Sequence, residues 1–407
     1  MTSFALKSRK VAWMVWIIVS VFYAYQYILR VMPNIMLHDI MNKFDMDAAT
    51  FGQFSGIYYI SYSLMHLPMG IMLDRLGPKK VMSGSIFLTV LGLLTIVFTD
   101  HWIFPIIGRF LIGLGSSAAI LGVFKMVRMT FSEKQFPRML SFSVTIGLLG
   151  AIYGGGPVSY MCEAFGYEAV IEIFAAVGVV LALITYFMIP NIKTVSESTV
   201  FSNIKEVLKN KRVMGTCLCA GLMVGPLEGF ADVWGSVFLK QVYGMSGAVS
   251  SSLLSMIFVG MCFGSPLLSL VAEKIGNYLM TIIGAAALMA AGFFLLLFSH
   301  LTPGILSGSF VLIGVCSAYQ ILAIYKASTY VKEEVAGLTT ACANMIIMLF
   351  GYAFHTIIGS VVSAFGGPSC LLALTSGVIV IPIGLCLGGV GFALLYRQEK
   401  KLVKKAV

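Results

Sequence analysis

The segment that decides the fold lies between the second and third apolar runs and reads Gly70-Ile71-Met72-Leu73-Asp74-Arg75-Leu76-Gly77-Pro78-Lys79-Lys80. Long apolar runs flank this charged turn on both sides, each near the roughly 20 residues that one helix needs to cross a bilayer. A short basic turn between two such runs is typical of membrane helices joined on the cytoplasmic side. The sequence therefore predicts a protein built from membrane-spanning helices.

Composition supports the same fold class. The chain is 59% hydrophobic and 11% charged, with a mean hydropathy of +0.95, which leaves too little polar surface for a soluble globule. The alternating segments of about 10 residues that characterise a membrane barrel are absent from the sequence. The net charge of +10 follows the loops between apolar runs, so no nucleic-acid partner is predicted.

Twelve apolar runs predict twelve transmembrane helices. The first run lacks a small-residue cleavage site and is interpreted as a retained span rather than a signal peptide. The predicted spans are 11–36, 50–73, 79–98, 103–127, 140–161, 169–190, 213–238, 249–271, 277–299, 304–327, 337–363 and 371–396.

The basic residues predict the orientation. With the N-terminus in the cytoplasm, most of the 27 Lys and Arg fall on that side, and of the loop cations only Lys43 and Lys240 fall opposite. This asymmetry predicts that both termini are cytoplasmic. Short loops favour a bacterial inner membrane.

A direct repeat divides the chain. The segment 112–125 in span four resembles 313–326 in span ten, and the polar, basic segment 191–212 separates six spans from six. We predict an N-terminal half at 1–190, a cytoplasmic linker at 191–212 and a C-terminal half at 213–407, related by a pseudo-twofold axis along the membrane normal.

The turn at 70–80 resembles the signature of the major facilitator superfamily. The resemblance implies alternating access by two six-helix halves, a monomeric transport unit, and a cytoplasmic gate in which Asp74 caps a neighbouring helix end. The implied gating residues are Gly70, Asp74, Arg75, Gly77, Lys79 and Lys80. Gly108-Arg109 is similar to the family's second motif. The glycines of span five are similar to its third motif, although close helix packing explains them equally well.

Span one carries a polar stripe. Tyr23, Gln26, Tyr27, Arg30 and Asn34 are three or four residues apart and so share one helical face. A guanidinium in hydrocarbon costs at least about 2.5–3.5 kcal/mol, so Arg30 is expected to face a polar interior. Its planar fork suits a carboxylate or phosphate. The alternative is an interfacial belt of Tyr and Arg near the outer end of the span.

The segment Tyr25-Gln26-Tyr27-Ile28-Leu29-Arg30 is also similar to the first span of organic-anion symporters in this superfamily. The resemblance implies that Arg30 binds the acidic group of the substrate. Those relatives often carry acids where this chain has Leu29 and Ser116. The full predicted substrate-binding set is Arg30, Tyr23, Gln26, Tyr27, Tyr319, Gln320 and Asn344.

Span seven supplies two acids for proton coupling. Glu228 and Asp232 lie one helical turn apart, and desolvation favours the protonated form of a carboxyl, as a proton carrier requires. The alternative places Asp232 in solvent at the outer mouth and pairs Glu228 statically with a cation such as Arg30.

Three further intramembrane cations have open roles. Arg109 either neutralises an acid or ties spans together. Lys125 and Lys326 occupy equivalent places in the two repeats, and each is either an anchor that snorkels to the interface or a group that draws anions inward.

The chain has no nucleotide-binding loop and no catalytic constellation, so it is predicted to be a secondary transporter and not an enzyme. The first hypothesis is proton-coupled uptake of a small organic anion or zwitterion, with Arg30 as anchor and Glu228 as proton carrier. The second is a proton-antiport exporter of drug-like or siderophore-like compounds, favoured by the 24 Met. A non-transporting receptor or an intramembrane enzyme is a third. The predicted partners are a small-molecule substrate, protons and the lipid bilayer, with no metal and no cofactor.

Overall fold

Long helices form nearly all of the structure. The computed structural model describes residues 9–132, 135–190, 200–298 and 301–406, and within these ranges it contains helices and turns without a strand. In this described part, eleven helical segments are long and apolar enough to cross a membrane. The predicted all-α polytopic membrane architecture is confirmed.

Contacts between Cα atoms divide the chain into two compact units. Unit 1 comprises Met1–Met46 and Ile57–Glu197, and unit 2 comprises Asp47–Gly56 and Ser198–Val407. Ten residues of the predicted N-terminal half therefore cluster with the second unit. Residues 191–199 of the predicted linker lie outside the described residues, and the division into two functional halves stays a prediction.

The first part of the chain forms seven α-helices. The elements are α1 (Arg9–Val31), a 3-10 turn (Met32–Asn34), α2 (Leu37–Phe44), α3 (Ala48–Arg75), α4 (Pro78–Phe98), α5 (Ile103–Thr130), α6 (Phe136–Phe165) and α7 (Tyr167–Met188). Helix α1 packs against α5 and α6, while α4 packs against α5 and α7.

The second part begins with a helix from the predicted linker. The elements are α8 (Val200–Lys209), α9 (Lys211–Gly221), a π-helix (Gly225–Trp234), α10 (Gly235–Tyr243), α11 (Gly247–Ile275), α12 (Tyr278–Phe298), α13 (Pro303–Ser317), α14 (Tyr319–Ser328), α15 (Glu333–Ala364), α16 (Leu371–Val378) and α17 (Val380–Ala406). Helix α11 packs against α13, α12 packs against α17, and α9 packs against both α15 and α17.

The predicted second span is a continuous helix but differs from the eleven apolar segments. Helix α3 has 28 residues, which corresponds to about 42 Å at 1.5 Å per residue and is long enough to cross a bilayer. Its tyrosines and serines lower its hydropathy. Hydropathy therefore identifies α3 less clearly than it identifies the other spans, although the helix is long enough.

The two loops matched by sequence have matching backbones. Gly77 follows α3 with φ 90°, and Gly276 follows α11 with φ 69°. A positive φ is easy only for glycine, so both turns require this residue. After Gly77, Pro78 occupies the start of α4, where its missing N–H costs nothing.

Two predicted spans are interrupted. Span seven, expected as a continuous helix at 213–238, consists of α9, the π-helix and α10, and span ten, expected at 304–327, is broken at Ala318 between α13 and α14. Pro226, near the start of the π-helix, has no N–H to donate, which accounts for the first break. Segment 313–322 contains no proline, and its sequence does not indicate the second break.

Glycines let α6 approach α1. A Cβ added at Gly150 would collide with the backbone of Ala24, and one added at Gly154 would lie 3.0 Å from the Cα of Ile28. Helix α6 bends nearby at Gly155, whose φ and ψ of −85° and −105° are not helical. These contacts favour the packing interpretation of the span-five glycines.

Candidate functional site

The polar stripe of span one is buried near the C-terminal end of α1. The side chains of Tyr23, Gln26, Tyr27 and Arg30 are all less than 9% exposed. The guanidinium carbon of Arg30 lies 5.2 Å from the ring centre of Tyr27 and 5.3 Å from that of Tyr59. Cation–π contacts of this kind help to hold a guanidinium in place.

Helix α3 lines the same region of unit 1 with tyrosines. The hydroxyl of Tyr58 donates to Oε1 of Gln26 at 2.8 Å, and the rings of Tyr58 and Tyr62 stack with centres 5.7 Å apart. Tyr23 packs edge-on against Tyr27 at 5.2 Å. The stripe predicted on α1 is thus one side of an aromatic and amide cluster, and α3 provides the other.

Arg109 is a backbone cap. Its side chain is 2% exposed, and its two terminal nitrogens donate to the carbonyl oxygens of Leu29 and Arg30 at 2.6 and 2.8 Å. These carbonyls belong to the last turn of α1, where intrahelical donors run out. The guanidinium carbon also lies 4.8 Å from the ring centre of Tyr58. The structure therefore supports the interpretation in which Arg109 ties spans together, and it fixes the backbone that carries Arg30.

The predicted gating carboxylate has a specific partner. Nζ of Lys125 donates to Oδ1 of Asp74 and to the carbonyl oxygen of Leu73, both at 2.7 Å. Lys125 is 11% exposed and Asp74 is 40% exposed. The pair joins the C-terminal end of α3 to α5, so Lys125 acts here as a tie between two helices. The sequence did not predict this pairing.

The other gating residues surround this tie. Arg75 and Lys80 are exposed, whereas Lys79 is half-buried with its Nζ 4.5 Å from the ring centre of Tyr186 on α7. Gly70 has open space where a side chain would stand.

Lys326 repeats the position of Lys125 with a different partner. Its Nζ lies 2.8 Å from Oε1 of Glu399 on α17 and 5.0 Å from the ring centre of Tyr330. Glu273, the counterpart of Asp74 in the matching loop, is exposed. Both repeats therefore pair this lysine with a carboxylate, but they take that carboxylate from different helices.

Both acids of span seven are buried in the π-helix. Glu228 is 0% exposed and Asp232 is 1% exposed. The alternative that placed Asp232 in solvent is therefore wrong in this structure. Short π-helical stretches occur often at functional sites, because the wider turn leaves backbone and side-chain groups in unusual positions.

Tyr319 links span ten to the end of α9. Its hydroxyl donates to the carbonyl oxygen of Ala220 at 2.7 Å, just before the helix breaks, and it lies close enough to Glu228 for the two to interact electrostatically. Gln320 is 7% exposed beside it, and Asn344 is half-buried on α15. Unit 2 thus brings Glu228, Tyr319 and Gln320 together.

Sequence reasoning missed Trp234, the last residue of the π-helix. Its side chain is 0% exposed, and its indole N–H has no hydrogen-bond acceptor among the described residues. A buried donor without an acceptor is uncommon and marks a place where a ligand or water can bind. The sequence signal that could have identified Trp234 was the position of its indole two residues after Asp232, within an apolar span.

Among the described residues no group of three or more His, Cys, Asp or Glu side chains is arranged to hold a metal ion. The two polar clusters differ in composition. Unit 1 supplies cations and tyrosine hydroxyls, and unit 2 supplies carboxylates and an amide.

Comparisons with known proteins agree with this fold. The chain is similar over 95% of its length to the crystal structure of a bacterial homolog to the human lysosomal transporter Spinster, with a TM-score of 0.72 and 18% identity over 96% of that chain. At this level of identity the likeness shows the fold alone.

Similar sequences carry transporter names. The chain spans 39% of the length of an uncharacterized transporter from Buchnera aphidicola, and the matched 39% of this chain is 29% identical to it. A nitrite extrusion protein from Bacillus subtilis is 22% identical over 90% of each chain. A chloramphenicol resistance protein from Acinetobacter baumannii is 20% identical over 71% of this chain and 72% of its own length.

The family model described as Major Facilitator Superfamily matches residues 15–356. This match covers most of the chain, including the turn at 70–80, Arg30, Arg109 and the interrupted spans of unit 2. The chain belongs to the major facilitator superfamily.

Proposed function

We propose that this transporter couples the uptake of a small organic anion or zwitterion, such as an organic acid, amino acid or short peptide, to the movement of protons. The observation that carries the proposal is Arg30, whose charge is buried at 6% exposure between the rings of Tyr27 and Tyr59. A buried cation in a membrane helix is costly, and such residues mark substrate or ion pathways.

Arg30 has the chemistry to anchor a carboxylate. Its planar fork makes two parallel charge-assisted hydrogen bonds to such a group, and these bonds are about twice as strong as neutral ones. The ring contacts with Tyr27 and Tyr59 preorganise the guanidinium, while Arg109 holds the backbone beneath it. Preorganisation lowers the entropy that binding would otherwise cost.

Glu228 is the proposed proton carrier. It is fully buried in the π-helix, beside Tyr319 and Gln320. A carboxyl in this position changes its charge when it takes up a proton, and that change gives a proton gradient a means to drive the transport cycle. Asp232, four residues later in the π-helix and also buried, is the second candidate for this role.

The name of the nitrite extrusion protein supports an anionic cargo, since nitrite is a small anion. Export of an anion or of a drug-like compound is the second candidate function. The words extrusion and chloramphenicol resistance in the names of two relatives favour it. For a cationic drug-like compound, the acids of unit 2 would contact the cargo.

We further propose a bacterial inner membrane with both termini in the cytoplasm, because the relatives are bacterial and the basic residues follow that topology. We propose a monomeric transport unit from the family resemblance.

Uptake into proteoliposomes tests the proposed function. Purified transporter is reconstituted with an imposed inside-alkaline pH gradient and offered pools of radiolabelled organic acids, amino acids and short peptides. We expect accumulation above the external concentration that collapses when a protonophore is added. Accumulation that survives the protonophore would contradict proton coupling, and gradient-driven efflux of lipophilic cations without anion uptake would establish the exporter instead.

A further inference from the structure

A groove at the end of α1 that carries Arg9 has basic residues at its edge and an apolar floor. It has a volume of about 720 Å³ and is lined by Arg9, Lys10, Trp13, Met14, Ile17, Ile18 and Met188. Its floor comes from α1 and from the last residue of α7. None of these residues belongs to the clusters described above, so the groove is independent of the proposed function.

The floor of the groove faces outward and is hydrophobic. Trp13 is 40% exposed, Ile17 is 51% exposed and Met188 is 47% exposed. Exposed side chains of this kind on a membrane helix contact lipid tails.

Aromatic neighbours hold the floor in a fixed shape. Trp13 packs edge-on against Trp16 at 5.5 Å and against Phe131 at 5.7 Å. The indole N–H of Trp16 in turn donates to Oγ of Ser143 at 2.8 Å. The indole of Trp13 is therefore oriented before any ligand arrives.

Two cations lie at one end of the groove. Arg9 and Lys10 are exposed at its edge. The basic residues place this end at the predicted cytoplasmic surface. Juxtamembrane Lys and Arg attract anionic lipids with about 1 kcal/mol each, and basic pockets between helices on this side bind anionic headgroups.

We propose that this groove, formed by α1 and the end of α7, is a binding site for an anionic phospholipid. The phosphate of the headgroup contacts Arg9 and Lys10, and one acyl chain lies along Trp13 and Ile17. Charge complementarity selects an acidic headgroup over a zwitterionic one, and the apolar floor requires a lipid rather than a soluble phosphate.

Fluorescence quenching of Trp13 tests the proposal. The transporter with Trp102→Phe, which removes the other exposed indole, is placed in phosphatidylcholine nanodiscs that contain increasing amounts of either phosphatidylglycerol or phosphatidylcholine with brominated acyl chains. Brominated chains quench an indole that they touch. We expect phosphatidylglycerol to reach half-maximal quenching at a several-fold lower mole fraction, and Trp13→Phe to abolish the difference.

A pair of charge variants gives the matched comparison. Arg9→Gln with Lys10→Gln should reduce the preference for phosphatidylglycerol by about fivefold or more, since about 1 kcal/mol corresponds to about fivefold. Lys400→Gln with Lys401→Gln removes the same charge from exposed positions on α17 and should leave the preference unchanged.

Two results would overturn the proposal. The first is equal quenching by the two brominated lipids in the protein that keeps Arg9 and Lys10. The second is an equal loss of preference in the α17 variant, which would show general surface attraction. The first result is decisive even if the Arg9 and Lys10 variant does not fold, because it needs no change at the site.

Discussion

The polar interiors of the two units carry opposite charges on helices of different regularity. In unit 1 the buried charges include Arg30 and Arg109, on the continuous helices α1 and α5. In unit 2 they include Glu228 and Asp232, in a span that is broken by a π-helix. The two halves of the predicted repeat therefore bury side chains of different chemistry, and the proposed function assigns anion binding to one and proton binding to the other.

In both units, a side chain donates hydrogen bonds to backbone carbonyls near the end of the first helix of the repeat. In unit 1, Arg109 of span four donates to the last carbonyls of α1, and in unit 2, Tyr319 of span ten donates to a carbonyl near the end of α9. Arg109 donates two hydrogen bonds from a charged guanidinium, whereas Tyr319 donates one from a neutral hydroxyl. These bonds to backbone favour a structural role for Arg109 and Tyr319, whereas the proposed function assigns the substrate and proton chemistry to Arg30 and Glu228.

The largest expected effect comes from Arg30. Truncation by Arg30→Ala should lower uptake of the anionic substrate by about 30-fold or more, because loss of one partner from a buried charge pair costs at least about 2 kcal/mol. Arg30→Lys keeps the charge but loses the fork, so it should recover only part of the affinity. Initial rates in proteoliposomes measure both. Normal uptake by Arg30→Ala would remove the anchor from the proposal.

The next effect separates coupling from binding. Glu228→Gln resembles the permanently protonated carboxyl, so accumulation driven by a pH gradient should be lost while exchange of substrate across the membrane continues. Counterflow and gradient-driven uptake are measured on the same proteoliposomes, with Asp232→Asn as the matched variant. If Glu228→Gln still accumulates substrate and Asp232→Asn does not, the proton carrier is Asp232.

The two caps should differ in strength. Arg109→Gln removes two bonds from a charged donor, each worth about 1.5–3 kcal/mol, whereas Tyr319→Phe removes one neutral bond worth about 1 kcal/mol. We expect Arg109→Gln to raise KM at least tenfold and Tyr319→Phe about fivefold, with little change in maximal rate for either. Equal effects of the two variants would show that charge at the cap is unimportant.

The sequence predicted the fold from long apolar runs, because hydropathy over about 20 residues directly reflects the thickness of the bilayer. It also predicted that Arg30 and Tyr27 share one face of α1. It did not predict the π-helix at Glu228, the break at Ala318 or the pairing of Lys125 with Asp74. Pro226 was a local signal for an interruption near Glu228. The break at Ala318 and the pairing of Lys125 with Asp74 instead involve contacts between distant residues, such as the bond from Tyr319 to Ala220, which a local pattern does not contain.

The paired lysines of the repeats provide a smaller test. Asp74→Asn breaks the tie between the gating loop and Lys125, whereas Glu399→Gln breaks the equivalent tie of Lys326. Both pairs are partly exposed, so each contributes about 1 kcal/mol or less to stability. We expect similar small decreases in melting temperature but a several-fold slower transport rate only for Asp74→Asn. A matching decrease in transport rate for Glu399→Gln would assign a gating role to both lysine–carboxylate pairs.

The smallest expected effect concerns Asp47, which directly precedes α3. Its Oδ1 accepts from the backbone N–H of Thr50 at 2.8 Å, and its Oδ2 accepts from Oγ of Ser363 at 2.7 Å. Burial alone raises the pKa of Asp47, but the hydrogen bonds from Thr50 and Ser363 outweigh this effect and hold the pKa below its usual range. The ionised form is therefore the one that the folded protein stabilises.

The sign of the pH dependence follows from this lowered pKa. The contribution of Asp47 is fully present above the pKa of the unfolded chain, about 3.9, and is lost as the pH falls through the lower pKa of the folded protein. Asp47→Asn should therefore lower the melting temperature slightly at pH 6, and the difference from the unsubstituted protein should shrink towards pH 3. Asp45→Asn is the matched control, since Asp45 is exposed and its left-handed backbone also suits asparagine. A difference that stays constant with pH would show that the hydrogen bonds, and not the charge, hold this end of α3.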